Sequence, residues 1–256
     1  MSTIEIHQIA VLSDNYVYLV HCPSTGHTAV VDPAVSEPVI TALKTKGWTL
    51  THILNTHHHH DHIGGNLDLK SKTGCTIVGA KNDRHRIDGI DVDVSDGDLF
   101  TLGDAEALVL EVPGHTTGHI AYWFKSANAL FCGDTLFALG CGRVFEGTYE
   151  QMWQSLEKII ALPKQTEIYC AHEYTQSNGA FALSVDPKNK ALQARMARIN
   201  RLRADGLPTV PSTLEIELET NPFLRPTSSG IQKHLHLEGA SPLQVFAETR
   251  RLKDSF

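Results

Sequence analysis

The chain has 256 residues, a length that predicts one large domain, or a domain of about 170 residues with a smaller appendage. Its apolar and charged fractions, 41% and 20%, are those of an ordinary globular protein and exclude a disordered or collagen-like chain. The net charge of −7 disfavours phosphate-backbone binding. Residues 1–5 lack the charged and apolar regions of a leader sequence and no apolar run approaches membrane-spanning length, so we expect neither a leader nor a membrane span. We therefore expect a cytoplasmic protein without nucleic-acid or membrane partners.

The first third of the chain alternates short apolar segments with turn residues. Period-two alternation predicts strands, and helical spacing that ends at a glycine predicts helices. The predicted strands cover residues 4–12, 16–22, 28–32, 50–55 and 75–80. The predicted helices cover residues 38–46, before Gly47, and 65–72, before Gly74.

The strand at 50–55 leads directly into a histidine-rich loop, Thr56-His57-His58-His59-His60-Asp61-His62, which Gly64-Gly65 follows closely. In extended backbone alternate side chains point the same way, so His57 and His59 can share one metal ion while His58 and His60 point elsewhere. The glycine pair allows a tight turn, after which Asp61 and His62 can reach a second ion. An expression tag would lie at a terminus, so we interpret this loop as part of a two-metal site.

The middle of the chain repeats one arrangement, in which a strand ends and a short loop presents a candidate ligand. Residues 81–98 are polar and are predicted to form a surface connection with His85 in solvent. Strands are predicted at 99–100, 107–112, 120–124, 129–132 and 167–171, and a helix at 149–162. His115, Asp134 and His172 follow three of these strands, at positions where loops on a rigid sheet place functional groups.

The pattern after Tyr174 is helical. Helices are predicted at 180–185, 191–204 and 242–252. Residues 214–218 alternate like a strand, but Ser212 and Glu215 have the spacing of a capping box, so we favour a helix there. We predict one domain over residues 1–173 and a helical domain over 174–256.

Seven side chains in these loops make a ligand set for two metal ions. One ion would be bound by His57, His59 and His115, the other by Asp61, His62 and His172, and Asp134 would bridge them. Imidazole and carboxylate ligands suit zinc, iron or manganese. Two such ions lower the pKa of a bridging water towards neutrality, which indicates hydrolysis at an electrophilic carbon or phosphorus.

These motifs resemble those of the metallo-β-lactamase superfamily. The resemblance is carried by Thr56-His57-x-His59-x-Asp61-His62, Gly114-His115, Gly133-Asp134 and Ala171-His172. Within the superfamily the chain is similar to the glyoxalase II (hydroxyacylglutathione hydrolase) family over essentially its whole length. The further matching segments are Asp14-Asn15-Tyr16, Val31-Asp32-Pro33, Gly140-Cys141-Gly142-Arg143, Ala171-His172-Glu173-Tyr174-Thr175, Asn221-Pro222-Phe223-Leu224-Arg225 and Lys253-Asp254-x-Phe256.

The resemblance implies an α/β fold, the αβ/βα sandwich of that superfamily, with a small C-terminal α-helical domain. It implies two divalent ions, zinc first and iron or manganese as alternatives, and hydrolysis of a glutathione thioester such as S-lactoylglutathione. This reaction releases glutathione and lactate, as the second step of methylglyoxal detoxification. Asp61 would orient the attacking hydroxide and Asp134 would bridge the ions, so both are predicted catalytic residues. We expect a monomer.

By family position, Arg143, Tyr174, Arg250 and Lys253 are candidates for binding the two glutathione carboxylates. Arg250 and Lys253 are three residues apart and share a helix face, although cations at a helix end are also common in solvent. Phe145 stands where some family members carry Tyr, so only ring packing to the substrate is expected there.

The same ligand motifs are compatible with other functions. The nearest rival is a mononuclear iron persulfide dioxygenase of the same superfamily. A lactonase or β-lactamase and a metal-stabilised binding module without catalysis are weaker alternatives. Cys141 is expected to be a small packing residue, and His119 either supports the His115 loop or is structural. The basic residues between 188 and 203 are expected to form a solvated helix face.

Overall fold

The computed structural model describes residues 4–256, and the chain in that range forms two compact units. The first unit comprises the chain up to Glu111 together with Thr117–Gly133, and the second comprises Val112–Thr116 and Asp134–Phe256. Between residues 4 and 256, no helix combines the length and the apolar character needed to cross a membrane.

The first unit contains most of the strands. Its strands are β1 Glu5–Val11, β2 Asn15–His21, β3 His27–Val31, β4 Thr49–Leu54, β5 Thr76–Ala80, β6 Val92–Val94, β7 Leu99–Leu102, β8 Ala105–Glu111, β9 Ile120–Phe124 and β10 Ala129–Gly133. Its α-helices are α1 Ser36–Lys46, α2 His60–Ile63 and α3 Asn66–Thr73.

Strands β1 to β6 form one sheet in chain order, antiparallel from β1 to β3 and parallel from β3 to β6. Strands β7 to β10 form antiparallel neighbours of a second sheet. All seven residues of β2 are buried, because Val17 and Leu19 pack in the cluster that contains residues of α1 and α3, while Tyr18 contacts Phe131 of β10. The unit therefore has a helix layer and two packed sheets.

The parallel pairing of β3 with β4 places the site. Val31 is in register with Leu54, so the carboxyl ends of these strands lie side by side. Asp32 and the loop that begins at Thr56 follow directly, and loops at the carboxyl edge of parallel strands are where α/β sheets present functional groups.

The second unit contains the predicted helical region. Its elements are β11 Leu136–Phe137, β12 Gly140–Cys141, α4 Tyr149–Ile160, β13 Glu167–Cys170, α5 Thr175–Val185, α6 Lys190–Ala204, β14 Ser212–Thr213, α7 Leu214–Thr220, α8 Ser229–His234 and α9 Pro242–Asp254. Helices α4 and α9 each begin with a capping box, Thr148 with Gln151 and Ser241 with Gln244. Trp153 of α4 contacts Phe246 of α9, with ring centroids 5.7 Å apart.

The predicted strands and helices are confirmed with shifts of a few residues, and the exceptions are short elements. The segment 81–98 is not only a surface connection, since it contains β6. Ile87 and Ile90 are buried in the cluster that also contains residues of α1 and α3, although His85 is exposed as expected. Residues 214–218 are helical as favoured, but Thr213 caps the helix instead of Ser212, which lies in β14. Helices α2 and α8 and the strands β11 and β12 were not predicted.

The division predicted between residues 173 and 174 stays a prediction. The compact units are divided differently, since residues 112–116 and 134–172 belong with the helical region.

Candidate metal centre

Asp32 organises the start of the histidine loop. It follows β3 with a positive φ of 49° and is almost fully buried. Its Oδ1 accepts a hydrogen bond from the backbone N–H of Thr56 at 2.8 Å, and its Oδ2 accepts one from the Thr56 hydroxyl at 2.7 Å. The carboxylate therefore fixes both the backbone and the side chain of the residue before His57.

The Thr56 hydroxyl in turn fixes the tautomer of His57. Because its hydrogen is donated to Asp32, the oxygen can only accept from Nδ1 of His57, which lies 3.1 Å away. Neutral His57 then carries its proton on Nδ1 and presents the lone pair of Nε2. That Nε2 lies 3.1 Å from Nδ1 of His59, so the two predicted ligands of one ion are adjacent.

His62 and Asp61 lie in the short helix α2. Nδ1 of His62 is 3.0 Å from Oδ2 of Asp32, and a carboxylate only accepts, so the proton of neutral His62 also resides on Nδ1. Nε2 of His62 lies 3.5 Å from Oδ2 of Asp61. The same Oδ2 accepts a hydrogen bond of 3.0 Å from the amide of Asn15, which orients the Asp61 carboxylate.

The remaining histidines of this region have other contacts. Nδ1 of His58 lies 3.4 Å from Oδ2 of the buried Asp83, and His60 is exposed, as expected for residues that point away from the ligands. His119 is fully buried and stacks on His57, with ring centroids 4.6 Å apart. The His119 ring therefore packs against the predicted ligand His57.

In the second unit, His115 is held at both its side chain and its backbone. Nδ1 of His115 lies 2.7 Å from the carbonyl oxygen of Arg143, an acceptor, which again places the ring proton on Nδ1. The His115 carbonyl accepts from the backbone N–H groups of Phe145 and Glu146, both at 3.3 Å. The segment 143–146 therefore fixes the ring orientation and tautomer of this predicted ligand.

Asp134 lies between two histidines. Its Oδ2 is 3.3 Å from Nε2 of His115, and its Oδ1 is 3.5 Å from Nε2 of His172. All three residues are buried. One carboxylate that offers each oxygen to a different imidazole nitrogen is the arrangement expected of a ligand shared by two ions.

The chemistry of these donors fits divalent cations. Nε2 of His62 and Nε2 of His115, both in the tautomer that leaves a lone pair there, face carboxylate oxygens at 3.5 and 3.3 Å. Two facing electron-rich atoms repel each other, and a cation between them removes that repulsion. Within the first unit, ligand atoms of Asp32, His57 and His62 lie within 4.8 Å of one another. Since both Asp32 oxygens already accept hydrogen bonds, Asp32 orients the ligands and is not assigned to a metal ion.

A cavity of about 330 Å³ lies beside this half of the ligand set, entirely within the second unit. Its lining residues are His115, Asp134, Phe137, Cys141, Arg143, Phe145, Tyr174, Ser177, Asn178, Arg250 and Lys253. All five predicted substrate-binding residues are therefore in its wall.

The cationic side of the cavity is organised by α9. Arg250 is 4% exposed, and its Nη1 donates to the carbonyl oxygen of Cys141 at 2.8 Å. Asp254 lies 3.1 Å from Nη2 of Arg250 and 3.3 Å from Nε of Arg143. Burial, together with the charges of Arg250 and Arg143, lowers the pKa of Lys253. This wall carries more positive than negative charge, which suits a substrate with carboxylates.

The aromatic side of the cavity touches the histidines. Tyr174 stacks on His172 with ring centroids 4.7 Å apart and an interplanar angle of 4°. Phe145 is 60% exposed, lies 5.2 Å from the His115 ring, and has the Arg143 guanidinium 5.9 Å from its centroid. Burial raises the pKa of the Cys141 thiol to about 11, in agreement with a packing role.

Comparisons with known proteins assign the chain to a family. A family model described as metallo-beta-lactamase superfamily matches residues 11–172, and one described as hydroxyacylglutathione hydrolase C-terminus matches residues 173–256. A hydroxyacylglutathione hydrolase of Methylococcus capsulatus is 61% identical over 99% of this chain and 99% of the relative. The chain belongs to the hydroxyacylglutathione hydrolase family. A second family member, from Rhodospirillum rubrum, is 58% identical over the full length of both proteins.

Membership of the hydroxyacylglutathione hydrolase family confirms the predicted fold class, an αβ/βα sandwich with a C-terminal helical region. A crystal structure of the BLEG-1 B3 metallo-beta-lactamase has the same fold, with a TM-score of 0.68 and 22% identity, and covers 86% of this chain and 100% of that one. The family relation also favours a hydrolase over the persulfide dioxygenase.

Two residues of this hydroxyacylglutathione hydrolase family member have roles that the sequence analysis missed. Asp32 was predicted to end a strand and, like Asn15, to belong to a matching segment, but neither residue was given a role at the metal centre. A polar residue at the end of a buried strand, next to a strand that carries ligands, was the available signal. Both residues act through their contacts with predicted ligands.

Proposed function

We propose that this protein hydrolyses the thioester of S-(2-hydroxyacyl)glutathione, with S-lactoylglutathione as substrate and glutathione and lactate as products. The full-length relationship to proteins named hydroxyacylglutathione hydrolase carries the proposal. The cationic cavity beside His115 and Asp134 supports it, because glutathione has two carboxylates to bind.

We propose that two divalent ions serve the reaction, zinc first and iron or manganese as alternatives. His57, His59 and His115 would hold one ion, Asp61, His62 and His172 the other, and Asp134 both. When bound, such ions lower the pKa of a shared water and polarise the thioester carbonyl. The donor set supports this assignment, since every member is an imidazole or a carboxylate.

The protein's own contribution is to orient the reacting groups. We assign to Asp61 the orientation of the attacking water, with Asn15 holding its carboxylate. Each carboxylate oxygen of Asp134 contacts Nε2 of one histidine, Oδ2 that of His115 and Oδ1 that of His172. The leaving thiolate has a thiol pKa of about 8.5 and needs little help from a proton donor.

Substrate binding would use the rest of the cavity. Arg143, Arg250 and Lys253 would bind the glutathione carboxylates, with Arg as the residue that can do so through two parallel hydrogen bonds. Tyr174 and Phe145 would pack along the peptide. The substrate is thus a small molecule, and we propose that the protein works as a cytoplasmic monomer.

The decisive experiment follows thioester absorbance with purified protein and S-lactoylglutathione, and counts metal ions per chain in the same sample. We expect rapid loss of absorbance with about two ions bound. No hydrolysis, with oxygen consumed on addition of glutathione persulfide, would replace the proposal by the dioxygenase. Binding of the thioester without turnover would point to a binding module, and turnover of lactones or β-lactams alone to the third alternative.

A further inference from the structure

The turn that joins β11 to β12 has an unusual set of supports, all within the second unit. This turn, residues 137–140, is buried, and Leu139 has a positive φ of 59°. A non-glycine residue in that conformation is unfavourable by itself, so contacts elsewhere must hold it.

Three side chains from the helical region bind the backbone of this turn. Asn221 donates to the carbonyl oxygens of Phe137 and Gly140, at 3.1 and 3.0 Å. Asn178 donates to the carbonyl of Ala138 at 3.2 Å. Glu217, on α7, accepts from the backbone N–H of Leu139 at 2.9 Å.

Glu217 is a fully buried carboxylate with a complete set of donors. Its Oε2 accepts from Leu139 and from the Asn221 amide at 3.1 Å, while its Oε1 accepts from Ser212 and from the Arg195 guanidinium. Arg195 was expected on a solvated helix face, but its side chain is only 11% exposed. Burying such a pair is costly, and a carboxylate at this position has a specific use in fixing the turn.

The turn forms part of the cavity wall. Phe137 lies at its first position and contacts the ring of Tyr174, with centroids 5.3 Å apart. Cys141 follows it, and the Cys141 carbonyl receives the hydrogen bond of Arg250. Displacement of the turn would therefore move both an aromatic and a cationic contact of the cavity.

Asp134 precedes the open end of the β11–β12 hairpin, beyond the pairing of Leu136 with Cys141 and away from the turn. The next residue, Thr135, accepts from the backbone N–H of Gly142 at 3.1 Å, and its hydroxyl lies 3.5 Å from the carbonyl oxygen of Val112. Loosening residues 137–140 should therefore affect the cavity wall more than the predicted metal ligand.

We propose that Glu217 and Asn221 are positioning residues for glutathione binding: they hold residues 137–140 in the geometry in which Phe137 and Arg250 face the substrate. The inference rests on the proposed function, and it extends that function to residues that do not touch the substrate. Phe137 also contacts the ring of His172, a predicted metal ligand, with centroids 5.9 Å apart. Metal content is therefore measured beside substrate binding, so that an effect on the cavity wall can be told from an effect on the metal ligands.

Glu217→Gln tests the contact to Leu139 with little change of shape. The buried Arg195 requires an oxygen opposite it, so the glutamine oxygen takes the place of Oε1 and the NH₂ group faces the Leu139 N–H and the Asn221 amide. Donors then face donors at the turn. Glu215→Gln on the same helix is the matched control, because Glu215 is exposed. If Glu217→Gln does not fold, Asn221→Ala is the second variant, because it removes the bonds to the carbonyl oxygens of Phe137 and Gly140.

The readouts are KM and kcat for S-lactoylglutathione, the dissociation constant for glutathione by calorimetry, and metal ions per chain. If the turn adopts the binding geometry in about a tenth of the molecules, KM and the glutathione dissociation constant rise about tenfold. We expect kcat, metal content and the control to remain within about twofold of the parent values.

Unchanged KM and glutathione affinity in a folded variant would overturn the proposal, and so would a fall in kcat that tracks loss of metal. If the parent protein fails to hydrolyse the thioester, the proposed function fails. Weaker glutathione binding in Glu217→Gln than in the parent protein would still support the positioning role in that case.

Discussion

The contacts of Asp32 lead to a specific expectation for Asp32→Asn. The asparagine oxygen can keep the bond to the Thr56 N–H, but its NH₂ group then stands where Oδ2 accepted from the Thr56 hydroxyl and from Nδ1 of His62. Facing an NH₂ donor, His62 is stable with its proton on Nε2 and not on Nδ1. The nitrogen assigned to a metal ion is then blocked.

The expected change in metal affinity follows from the loss of the His62 tautomer with its proton on Nδ1. Removing the partner that orients a metal-binding histidine lowers metal affinity about 10- to 100-fold, which corresponds to ~1.4–2.7 kcal/mol. Thr56→Val removes the hydroxyl's bonds to Asp32 and to Nδ1 of His57, but Nδ1 of His62 keeps Oδ2 of Asp32 as its acceptor, so the variant should weaken chiefly the ion that His57 binds. Asp32→Asn should therefore lose affinity for the ion that His62 binds.

The assay is a titration of each metal-loaded variant with a chelator, with the ions remaining per chain counted at each step. Asp88→Asn is the control, because Asp88 is exposed in the same unit. We expect the first ion to leave Asp32→Asn at a lower chelator concentration than it leaves the parent or the control. If all three curves coincide, the tautomer argument is refuted.

Three further outcomes follow from the site. His57→Ala and Asp134→Ala should each lower the rate of hydrolysis by more than about 100-fold, because removing a metal ligand weakens metal binding more than removing a residue that orients a ligand. Full activity with substoichiometric metal in either variant would contradict the dinuclear assignment. Burial and Arg250 lower the pKa of Lys253, so its positive charge is lost at a lower pH than that of an ordinary lysine. KM should increase as pH rises through that lowered pKa in the parent protein and stay flatter in Lys253→Arg, whose guanidinium stays charged. Gly142→Ala should lose metal and activity, because the new Cβ would lie 1.9 Å from the carbonyl oxygen of Asp134 and displace that residue. A metal content equal to that of the parent protein would contradict this prediction.

The parts of the fold that could be predicted have local causes. Helix α1 ends where Gly47 adopts a φ of 69°, and a glycine after a helical pattern is a signal that a reader of the sequence can use. Strand β6 could not be predicted in this way. It has three residues, two of them exposed, and exists because its Val92 pairs with Val78 of the neighbouring β5.

The same distinction applies to the site. The seven candidate ligands stand in motifs at strand ends, so chemistry and spacing suffice to select them. Asp32 and Glu217 act on residues that are distant in sequence: Asp32 contacts His62, and Glu217 contacts Leu139, 78 positions earlier in the chain. Periodicity contains no information about such pairs, because they depend on how the elements pack.

Arg143 contacts the cavity and a predicted metal ligand through different atoms. Its guanidinium lines the cavity, whereas its carbonyl oxygen receives Nδ1 of His115. A change of the side chain leaves that carbonyl in place, so it should affect substrate binding alone. A change at Gly142 displaces the backbone itself, and with it both Asp134 and the acceptor that fixes His115. We therefore expect the segment after β12 to contribute to catalysis through its backbone and to substrate binding through its side chains.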